Sequence, residues 1–322
     1  MTWSLLLALL KRLPQGLLSR ATGWVADLRL PGFLRGPVIG GFARVAGIDT
    51  AEAEAPPEAY PSVGAFFARR LRSGVRAWPA DEDAVVSPVD GVVGAMGSLH
   101  AGRLVQAKGM DYDAGQLLGD AEEADLFEGG CFLTIYLSPR HYHRIHTPVA
   151  GRIRLARALP GRLLPVNLAA VRSIPELFPT NERLVVQMER RRRQGFAGEG
   201  FPEEGFPGDD RPPEPGITWS AGKEAAAPGA AVALVAVGAF NVGRISAAFD
   251  PGWVTNRPRR ERPGPETRRY DLQVGPGAEL AAFHLGSTVV LLFAPGPGGE
   301  APPPFHPDVL PGDEIRVGAP LF

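Results

Sequence analysis

Short apolar runs separated by Gly, Pro and Asp dominate the chain from about residue 85 to its end. Representative runs read CFLTIYLS, AVALVAVGAF and STVVLLFAPG, and no long helical pattern follows residue 90. These runs are rich in β-branched and aromatic residues and have the length of strands. The pattern predicts a fold of the α+β class, in which a β-rich, mainly antiparallel body follows a helical N-terminal part.

Residues 1–75 form the predicted helical part, where cations alternate with apolar residues. The first two thirds indicate helix with breaks at Pro14, Pro31 and Pro37, and VGAFFARRLRSGVR indicates a further helix. The opening apolar stretch, WSLLLALL, is much shorter than the roughly 20 residues that cross a bilayer. Such a part can lie in the membrane interface with its cations near anionic headgroups, or pack on the protein's own core. The residues alone leave both interpretations open.

The β-rich body, residues 76–322, contains one predicted insertion. Four arginines, Arg190 to Arg193, begin a segment of Gly, Pro and charged residues that extends to about residue 228. This composition predicts a mobile surface insertion at about 190–228. Its arginines suit either contact with anionic lipid or a solvated strand end, and we favour the second interpretation.

Composition excludes several classes of function. The 322 residues carry a formal net charge of −1, which gives no indication of nucleic-acid binding. Cys131 is the only cysteine, so neither an intrachain disulfide nor a metal site built on several cysteines can form. Because Cys131 lies in an apolar, strand-like run, we interpret it as a buried structural thiol.

Three short motifs contain residues suited to chemistry. Asp90 lies in SPVDGVV, at the predicted tip of a turn between two strands. The run YLSPRHYHRIHTPVAG contains His141, His143 and His146, of which the first two would share a strand face. Ser287 follows a glycine in FHLGSTVVLLF, directly before a predicted buried strand. Each motif also has a plain structural interpretation, so their combination matters more than any one of them.

The histidine cluster favours general acid-base catalysis over a metal site. No second cluster of ligands accompanies it, and imidazole titrates near neutral pH. Asp90, His146 and Ser287 would supply the carboxylate, base and nucleophile of a serine-based mechanism. The serine lacks a G-x-S-x-G elbow, because residue 289 is valine, so ordinary α/β-hydrolase chemistry is disfavoured.

Taken together, the motifs resemble those of phosphatidylserine decarboxylases along nearly the whole chain. The resemblance rests on GAFFARRLR, SPVDGVV, VQAKGMDYDAGQLLG, SPRHYHRIHTPVAG, IPELFPTNERLVV, VGAFNVGRI and FHLGSTVVLLF. In this family the proenzyme cuts itself between the Gly and Ser of an L-G-S-T site, and the serine becomes a pyruvoyl group. The resemblance implies a cut between Gly286 and Ser287, which gives a β chain of residues 1–286 and an α chain of residues 287–322.

The resemblance also implies roles for individual residues. His146 would act as the base on Ser287, with Asp90 orienting it. Gly286 would offer an unhindered carbonyl to attack, since it has no side chain. His143 would serve the decarboxylation, in which the pyruvoyl carbonyl accepts the electrons that departing CO2 leaves behind.

Departures from the family pattern fall outside this set of residues. His141 stands where the family often has Asp, and LLPVN has Pro165 where a serine is frequent. In the family this second segment lies near the bound lipid. Val166 and Asn167 are therefore candidates for contacts to the lipid headgroup.

The lysines of the chain agree with a built-in cofactor. A pyridoxal phosphate enzyme needs a lysine for its cofactor, and the chain has only Lys11, Lys108 and Lys223. Lys108 alone lies in a plausible segment, and no phosphate-binding glycine motif accompanies it. We therefore expect a pyruvoyl group derived from Ser287, with neither pyridoxal phosphate nor a metal ion.

The function expected from the resemblance is decarboxylation of phosphatidylserine to phosphatidylethanolamine. A lipid substrate favours peripheral docking of the N-terminal part on an anionic membrane, at the cytoplasmic side of the inner membrane. The resemblance also implies a homodimer, and no nucleic-acid partner is expected. Three alternatives stay open: a decarboxylase of a related serine phospholipid, a non-catalytic β module like lipoyl or biotinyl carriers, and a serine hydrolase that keeps Ser287 intact.

Overall fold

A computed structural model of the protein describes residues 15–81, 83–107, 110–191, 230–239, 244–256, 264–284, 287–296 and 298–322, with the backbone alone for residues 15–18 and 287. The opening apolar stretch, the three lysines, Gly286 and nearly all of the predicted insertion lie outside these residues. The described part has few helices and a large antiparallel sheet, which confirms the predicted α+β class with a β-rich body.

Two helices open the described chain: α1 (Gln15–Asp27) and α2 (Gly32–Ala46). The break between them falls at Pro31, as the sequence indicated. The break predicted at Pro37 is wrong, because α2 continues through it. Pro37 is the sixth residue of the helix, so its missing N–H deprives only the carbonyl of Phe33, in the exposed first turn.

The third helix, α3 (Val63–Phe67), is shorter than the sequence indicated. The Ser62 hydroxyl caps its first turn by accepting a backbone N–H at 3.1 Å. The chain leaves the helix after two buried phenylalanines, and Leu71 then pairs with Ala53 in an isolated β-bridge. The helix is thus a single turn that inserts aromatic rings between the N-terminal layer and the body.

The strands of the body, in chain order, are β1 (Gly91–Ser98), β2 (Arg103–Ala107), β3 (Met110–Asp113), β4 (Cys131–Leu137), β5 (Arg144–His146), β6 (Gly151–Leu159), β7 (Arg183–Arg190), β8 (Ala231–Val237), β9 (Ile245–Ala247), β10 (Glu266–Val274), β11 (Glu279–Phe283), β12 (Ser287–Phe293) and β13 (Glu314–Ile315). Short helices lie between them: α4 (Ala114–Leu118), α5 (Ala121–Asp125), α6 (Leu168–Val171) and α7 (Leu177–Thr180).

One large antiparallel sheet organises the body, with the strand order β10-β6-β7-β8-β12-β4-β1-β13. A small sheet, β5-β11-β9, lies apart from it, and β2 pairs with β3. The apolar pattern indicated most of these strands and missed β3, β5, β10 and β11. β10 is an edge strand whose residues alternate between half-buried and exposed, so its sequence, ETRRYDLQV, lacks an apolar run.

The strand β12 lies near the centre of the large sheet, between β8 and β4. Val289, Leu291 and Phe293 face a first core, which the small sheet covers. Val290 and Leu292 face a second core, formed with β2, β3 and the short helices. Because both faces are buried, the strand reads as a continuous apolar run although its neighbours are antiparallel.

The N-terminal helices pack beside the body around a small third core, which consists of Ile39, Ala43, Ile48, Ala53 and Phe66. Asp27, at the end of α1, forms an ion pair with Arg244, next to β9, at 2.8 Å. Within the described ranges, no helix combines the length and apolar character needed to cross a membrane. Large apolar side chains of this layer are nevertheless exposed: Trp24, Val25, Leu28, Phe33, Leu34, Val38 and Val45.

Candidate active site

The predicted cut site lies between two anchored strand ends. On its C-terminal side, Ser287 opens β12 and pairs with Leu137, the last residue of β4. On its N-terminal side, Phe283 ends β11 and donates its backbone N–H to the carbonyl of His143 at 2.9 Å. Gly286 and the side chain of Ser287 lie outside the described residues. Both anchors belong to one stretch of chain, β4 and the loop after it that carries the histidines.

His143 is fully buried beside these anchors. Its Nδ1 lies 2.8 Å from the backbone oxygen of His141, so Nδ1 carries the proton and Nε2 is the acceptor. Nε2 has no hydrogen-bond partner among the described residues. The ring packs on that of Phe67, with 4.0 Å between centroids. Burial lowers the pKa of His143 to about 3, so the imidazole is neutral at pH 7.

His141 and His143 do not share a strand face, contrary to the sequence prediction. Both lie in the loop before β5, because the chain turns at Pro139 and Arg140 directly after β4. The Nδ1 of His141 accepts the backbone N–H of Ser138 at 2.9 Å. Burial lowers the pKa of His141 to about 4. His141 therefore stabilises the loop as a neutral acceptor.

His146, the predicted base, is held at both ring nitrogens. Its Nδ1 donates to the carbonyl of Gly277 at 2.7 Å, and the hydroxyl of Tyr142 lies 3.1 Å from its Nε2. Because the Nδ1 proton is committed to a carbonyl, Nε2 is the acceptor and the hydroxyl is the donor. The rings of Trp78 and Tyr142 flank the imidazole, with centroid distances of 5.5 and 5.6 Å. Burial lowers the pKa of His146, which favours the neutral base form.

Asp90 is buried immediately before β1 and bound by an arginine. The Nε of Arg76 lies 3.0 Å from Oδ1 of Asp90, and its Nη2 contacts Oδ2. The backbone N–H of Val317 donates to the same Oδ1 at 2.9 Å. Arg76 also contacts Glu52 at 2.8 Å. The carboxylate is thus tied, through one guanidinium, to the N-terminal layer.

The segment around Asp90 is not the hairpin that the sequence indicated. Val86, which precedes it, forms a bridge with Pro320 instead of pairing with β1. Gly91, which follows it, is required by close packing, because a Cβ there would lie 2.7 Å from the carbonyl oxygen of Tyr136. The Asp-Gly step therefore reflects the approach of two strands and not a two-residue turn.

Asp90 and His146 lie on adjacent segments, since the backbone N–H of His146 donates to the carbonyl of Pro88 at 2.9 Å. No hydrogen bond joins their side chains in the part of the chain that the structure describes, because the imidazole bonds to Gly277 and Tyr142. Burial lowers the pKa of His146, and the charge of Asp90 opposes this only weakly. Direct orientation of His146 by Asp90 stays a prediction, while Gly277 supplies the contact that fixes the imidazole.

Two residues of this site escaped the sequence reasoning. Gly277 has a φ of 71°, and a Cβ there would lie 2.6 Å from the ring of Trp78, so glycine is required. His284, two residues before the cut-site glycine, is held by Arg244 at 3.0 Å and Ser246 at 3.0 Å. Its place within FHLGST was visible in the sequence, whereas nothing in the local sequence links Gly277 to a histidine.

The candidate headgroup contacts have structural roles. Val166 is buried in the second core. Asn167 caps α6, because its side-chain oxygen accepts the backbone N–H of Ala170 at 3.0 Å. Contact of either residue with a headgroup stays a prediction. Leu168, which is exposed, is the apolar side chain that this segment presents to solvent.

Cys131 is buried in β4, as predicted, and burial raises its pKa to about 12. It therefore stays a thiol at neutral pH and contributes to packing. Among the residues that the structure describes, no group of three or more His, Cys, Asp or Glu side chains is arranged to hold a metal ion.

The arrangement as a whole provides neutral bases in a water-poor site. Among the described residues, Nε2 of His143 has no hydrogen-bond partner, and Nε2 of His146 accepts from the Tyr142 hydroxyl. Neutral imidazoles of this kind can accept a proton from a serine hydroxyl and pass it on.

Comparison with known proteins identifies the family. The chain matches the family model described as phosphatidylserine decarboxylase over residues 63–198 and 218–322, which include Asp90, His143, His146 and Ser287. A phosphatidylserine decarboxylase proenzyme of Anaeromyxobacter sp. (strain K) is 40% identical over 321 residues, covering 98% of this chain and 97% of that protein.

Two further relatives carry the same name, phosphatidylserine decarboxylase proenzyme. The one from Myxococcus xanthus (strain DK1622) is 38% identical over 289 residues, covering 89% of this chain and 88% of the relative. The one from Halorhodospira halophila (strain DSM 244 / SL1) is 41% identical over 286 residues, covering 88% of this chain and 83% of the relative. With a site that combines these histidines and an L-G-S-T strand entry, the chain belongs to the phosphatidylserine decarboxylase family.

Proposed function

We propose that this chain decarboxylates phosphatidylserine to phosphatidylethanolamine and CO2 through a pyruvoyl group that it makes from Ser287. The relatives are named as proenzymes, which implies processing, and their names state the substrate. One observation carries the proposal. The Gly286–Ser287 peptide lies between two strand ends that are both anchored to the stretch of chain bearing the histidines.

The position of β12 explains how two chains would stay together after the cut. The α chain would begin with β12, which pairs with β4 on one side and β8 on the other. Val289 to Leu292 are fully buried in the two cores. Leaving the sheet would expose this apolar run to water, so the α and β chains remain one folded unit.

In the cutting step, the Ser287 hydroxyl attacks the Gly286 carbonyl and His146 takes up the hydroxyl proton. The peptide bond is exchanged for an ester, and the freed backbone nitrogen receives the proton. β-Elimination breaks the ester, leaving the Gly286 carboxylate on the β chain, and hydrolysis of the remaining unit releases ammonia. In the uncut chain, Tyr142 occupies Nε2 of His146. The Tyr142 hydroxyl must either pass the serine proton to His146 or move away so that the serine hydroxyl can reach Nε2.

The residues around position 287 fit a pyruvoyl group. The position is the first of β12, next to the histidine loop, and His143 offers a buried Nε2 without a partner among the described residues. A pyruvoyl group supplies a carbonyl that accepts the electron pair left by departing CO2. His143 would take up a proton and return it to the substrate carbon. An anionic substrate beside it would raise its pKa, which burial lowers in the free chain.

Mass spectrometry of the purified chain tests this function. Wild-type protein should yield two chains with a blocked α-chain N-terminus and should release CO2 from phosphatidylserine vesicles. Ser287→Ala should give one uncut, inactive chain, whereas Ser173→Ala, at an exposed serine after α6, should behave as wild type. An intact wild-type chain that still releases CO2 would refute the pyruvoyl proposal. Faster release from another serine phospholipid would reassign the substrate.

We also propose that the N-terminal layer docks on an anionic membrane. The exposed apolar side chains of α1 and α2 support this, including Trp24 at 69% and Phe33 at 79% exposure. Transfer of one such side chain from water is worth about 1.5–3 kcal/mol. Trp24→Ser and Phe33→Ser should therefore each weaken vesicle binding by roughly tenfold or more. The control is Val105→Ser, at a side chain of the body with 50% exposure. Equal losses in all three variants would contradict the docking face.

The wider setting follows from the same proposal. Docking would place the chain peripherally on the cytoplasmic side of the inner membrane, which fractionation with protease protection would test. A homodimer is the assembly expected from the family resemblance. Light scattering that gives the mass of one chain would contradict it.

A further inference from the structure

Arg69 is a buried arginine, and two of its three guanidinium nitrogens lack a hydrogen-bond partner within the described part of the chain. These nitrogens are Nε and Nη1, and only 3% of the residue's surface is exposed. Its guanidinium lies over the ring of Phe66, 5.3 Å from the centroid. A ring face offsets only part of the cost of removing a guanidinium, with its five N–H donors, from water. Burial accordingly lowers the pKa of Arg69.

The acidic groups that act on Arg69 are already engaged elsewhere. Asp90 and Glu52 are the carboxylates whose charges influence it most. Both are in ion pairs with Arg76, at Oδ2 of Asp90 and at 2.8 Å from Glu52. They supply countercharge at a distance and take no hydrogen bond from Arg69. Its Nε and Nη1 donors therefore have no acceptor among the described residues, and a ligand that reached them would supply one.

Arg69 lies next to the histidine assigned to decarboxylation. The ring of Phe67 packs on that of His143, and the carbonyl of Ala68 accepts the Nε–H of Arg144 at 2.9 Å. Phe67 and Ala68 are thus held against His143 and Arg144, and Arg69 is the next residue along the chain. Two buried polar groups without partners in the described chain, the guanidinium and Nε2 of His143, thus occur in one neighbourhood.

We propose that Arg69 binds an oxyanion of the phosphatidylserine headgroup and so places that headgroup beside His143. The inference rests on the proposed function and names the contact that would recognise its anionic substrate. The planar guanidinium matches two oxygens of a phosphate or a carboxylate, and this headgroup carries both. Its ammonium group would be repelled by Arg69, which leaves the amine free to reach position 287.

Binding of soluble probes to the full-length Ser287→Ala chain tests the inference without turnover. Calorimetry would compare glycerophosphoserine, glycerophosphoethanolamine and L-serine. Arg69→Met should weaken glycerophosphoserine binding by about 10- to 100-fold, as expected for a charge-assisted hydrogen bond. If Arg69→Met loses as much affinity for glycerophosphoethanolamine, the group that Arg69 binds is the phosphate. If it loses as much affinity for L-serine, the group is the carboxylate. Unchanged affinity for glycerophosphoserine, or no binding by the parent chain, would overturn the inference.

Two controls separate binding from structure. Arg72→Met removes an exposed arginine three residues along the chain and should leave the affinity unchanged. Because an unpaired buried charge costs free energy, Arg69→Met should unfold at the same or a higher temperature than its parent. A lower unfolding temperature with unchanged affinity would make Arg69 a structural residue only.

A measurement on the parent chain covers the case in which Arg69→Met does not fold. The Nε–H resonance of Arg69 should shift when glycerophosphoserine is added, and an unchanged resonance would overturn the inference. Cutting and CO2 release by the wild-type chain are measured separately. A wild-type chain that cuts itself and releases CO2 while the resonance stays fixed would refute the Arg69 contact alone.

Discussion

The hydrogen bond from Tyr142 to His146 makes a quantitative prediction about the pH at which the chain cuts itself. Tyr142 is 5% exposed, and its hydroxyl lies 3.1 Å from Nε2, so water cannot readily replace it. The bond stabilises neutral imidazole and thereby holds the pKa of His146 down. A hydrogen bond of this kind is worth about 1 kcal/mol. Tyr142→Phe should therefore favour the imidazolium form of His146 by roughly fivefold and raise its pKa.

The consequence appears in the acid limb of the cutting rate. Cutting needs neutral His146, so the rate falls as pH drops through its pKa, and a raised pKa moves that fall to higher pH. The assay is synthesis in a cell-free system, transfer to buffers between pH 4 and pH 8 (about the useful range for histidine), and gel analysis of the cut fraction. Tyr270→Phe is the matched control. Tyr270 lies on the edge strand β10, and its phenol hydroxyl donates a hydrogen bond to Asp250. An acid limb that does not move in Tyr142→Phe would refute this account of His146.

Three further substitutions test the fold and the site. Gly277→Ala should lower the unfolding temperature and slow cutting, because a φ of 71° costs alanine about 1–2 kcal/mol and its Cβ meets the ring of Trp78; cutting at the wild-type rate would argue against the Gly277 contact. Leu291→Ala, at a fully buried position, should lower the unfolding free energy by about 2–5 kcal/mol. The control, Leu126→Ala, at a side chain with 52% exposure, should change it by no more than about 0.5 kcal/mol. Equal losses in the two variants would contradict the central position of β12. His143→Ala should slow CO2 release far more than cutting, and the reverse order would exchange the roles assigned to the two histidines.

The strands with both faces buried were the most predictable elements. β4, β8 and β12 read as continuous apolar runs because each contributes side chains to both the first and the second core. β10 was missed because it lies at the edge of the sheet, where one flank has no neighbouring strand among the described residues. Hydrophobicity records burial, so it indicates central strands and fails where burial is partial.

Local rules failed where packing outside the segment decided the outcome. Pro37 breaks helices in general, yet α2 continues through it at a cost confined to an exposed first turn. The Asp90-Gly91 step is typical of a hairpin tip, yet the glycine is there because a neighbouring strand approaches it. The local pattern thus predicted a helix break at Pro37 that does not form, and at Gly91 it indicated a glycine for the wrong reason.

Sequence motifs were enough to select the four residues to which the proposed chemistry is assigned. Motif identity selected Asp90, His143, His146 and Ser287, and apolar patterning placed the serine at the mouth of a buried strand. The groups that hold these residues in place became visible in the folded chain alone. Gly277 bonds to His146 from 131 positions away, and Val317 bonds to Asp90 from 227 positions away. No local pattern encodes such pairs, because hydrogen bonds in a folded chain depend on distance in space, and the sheet topology brings remote segments together.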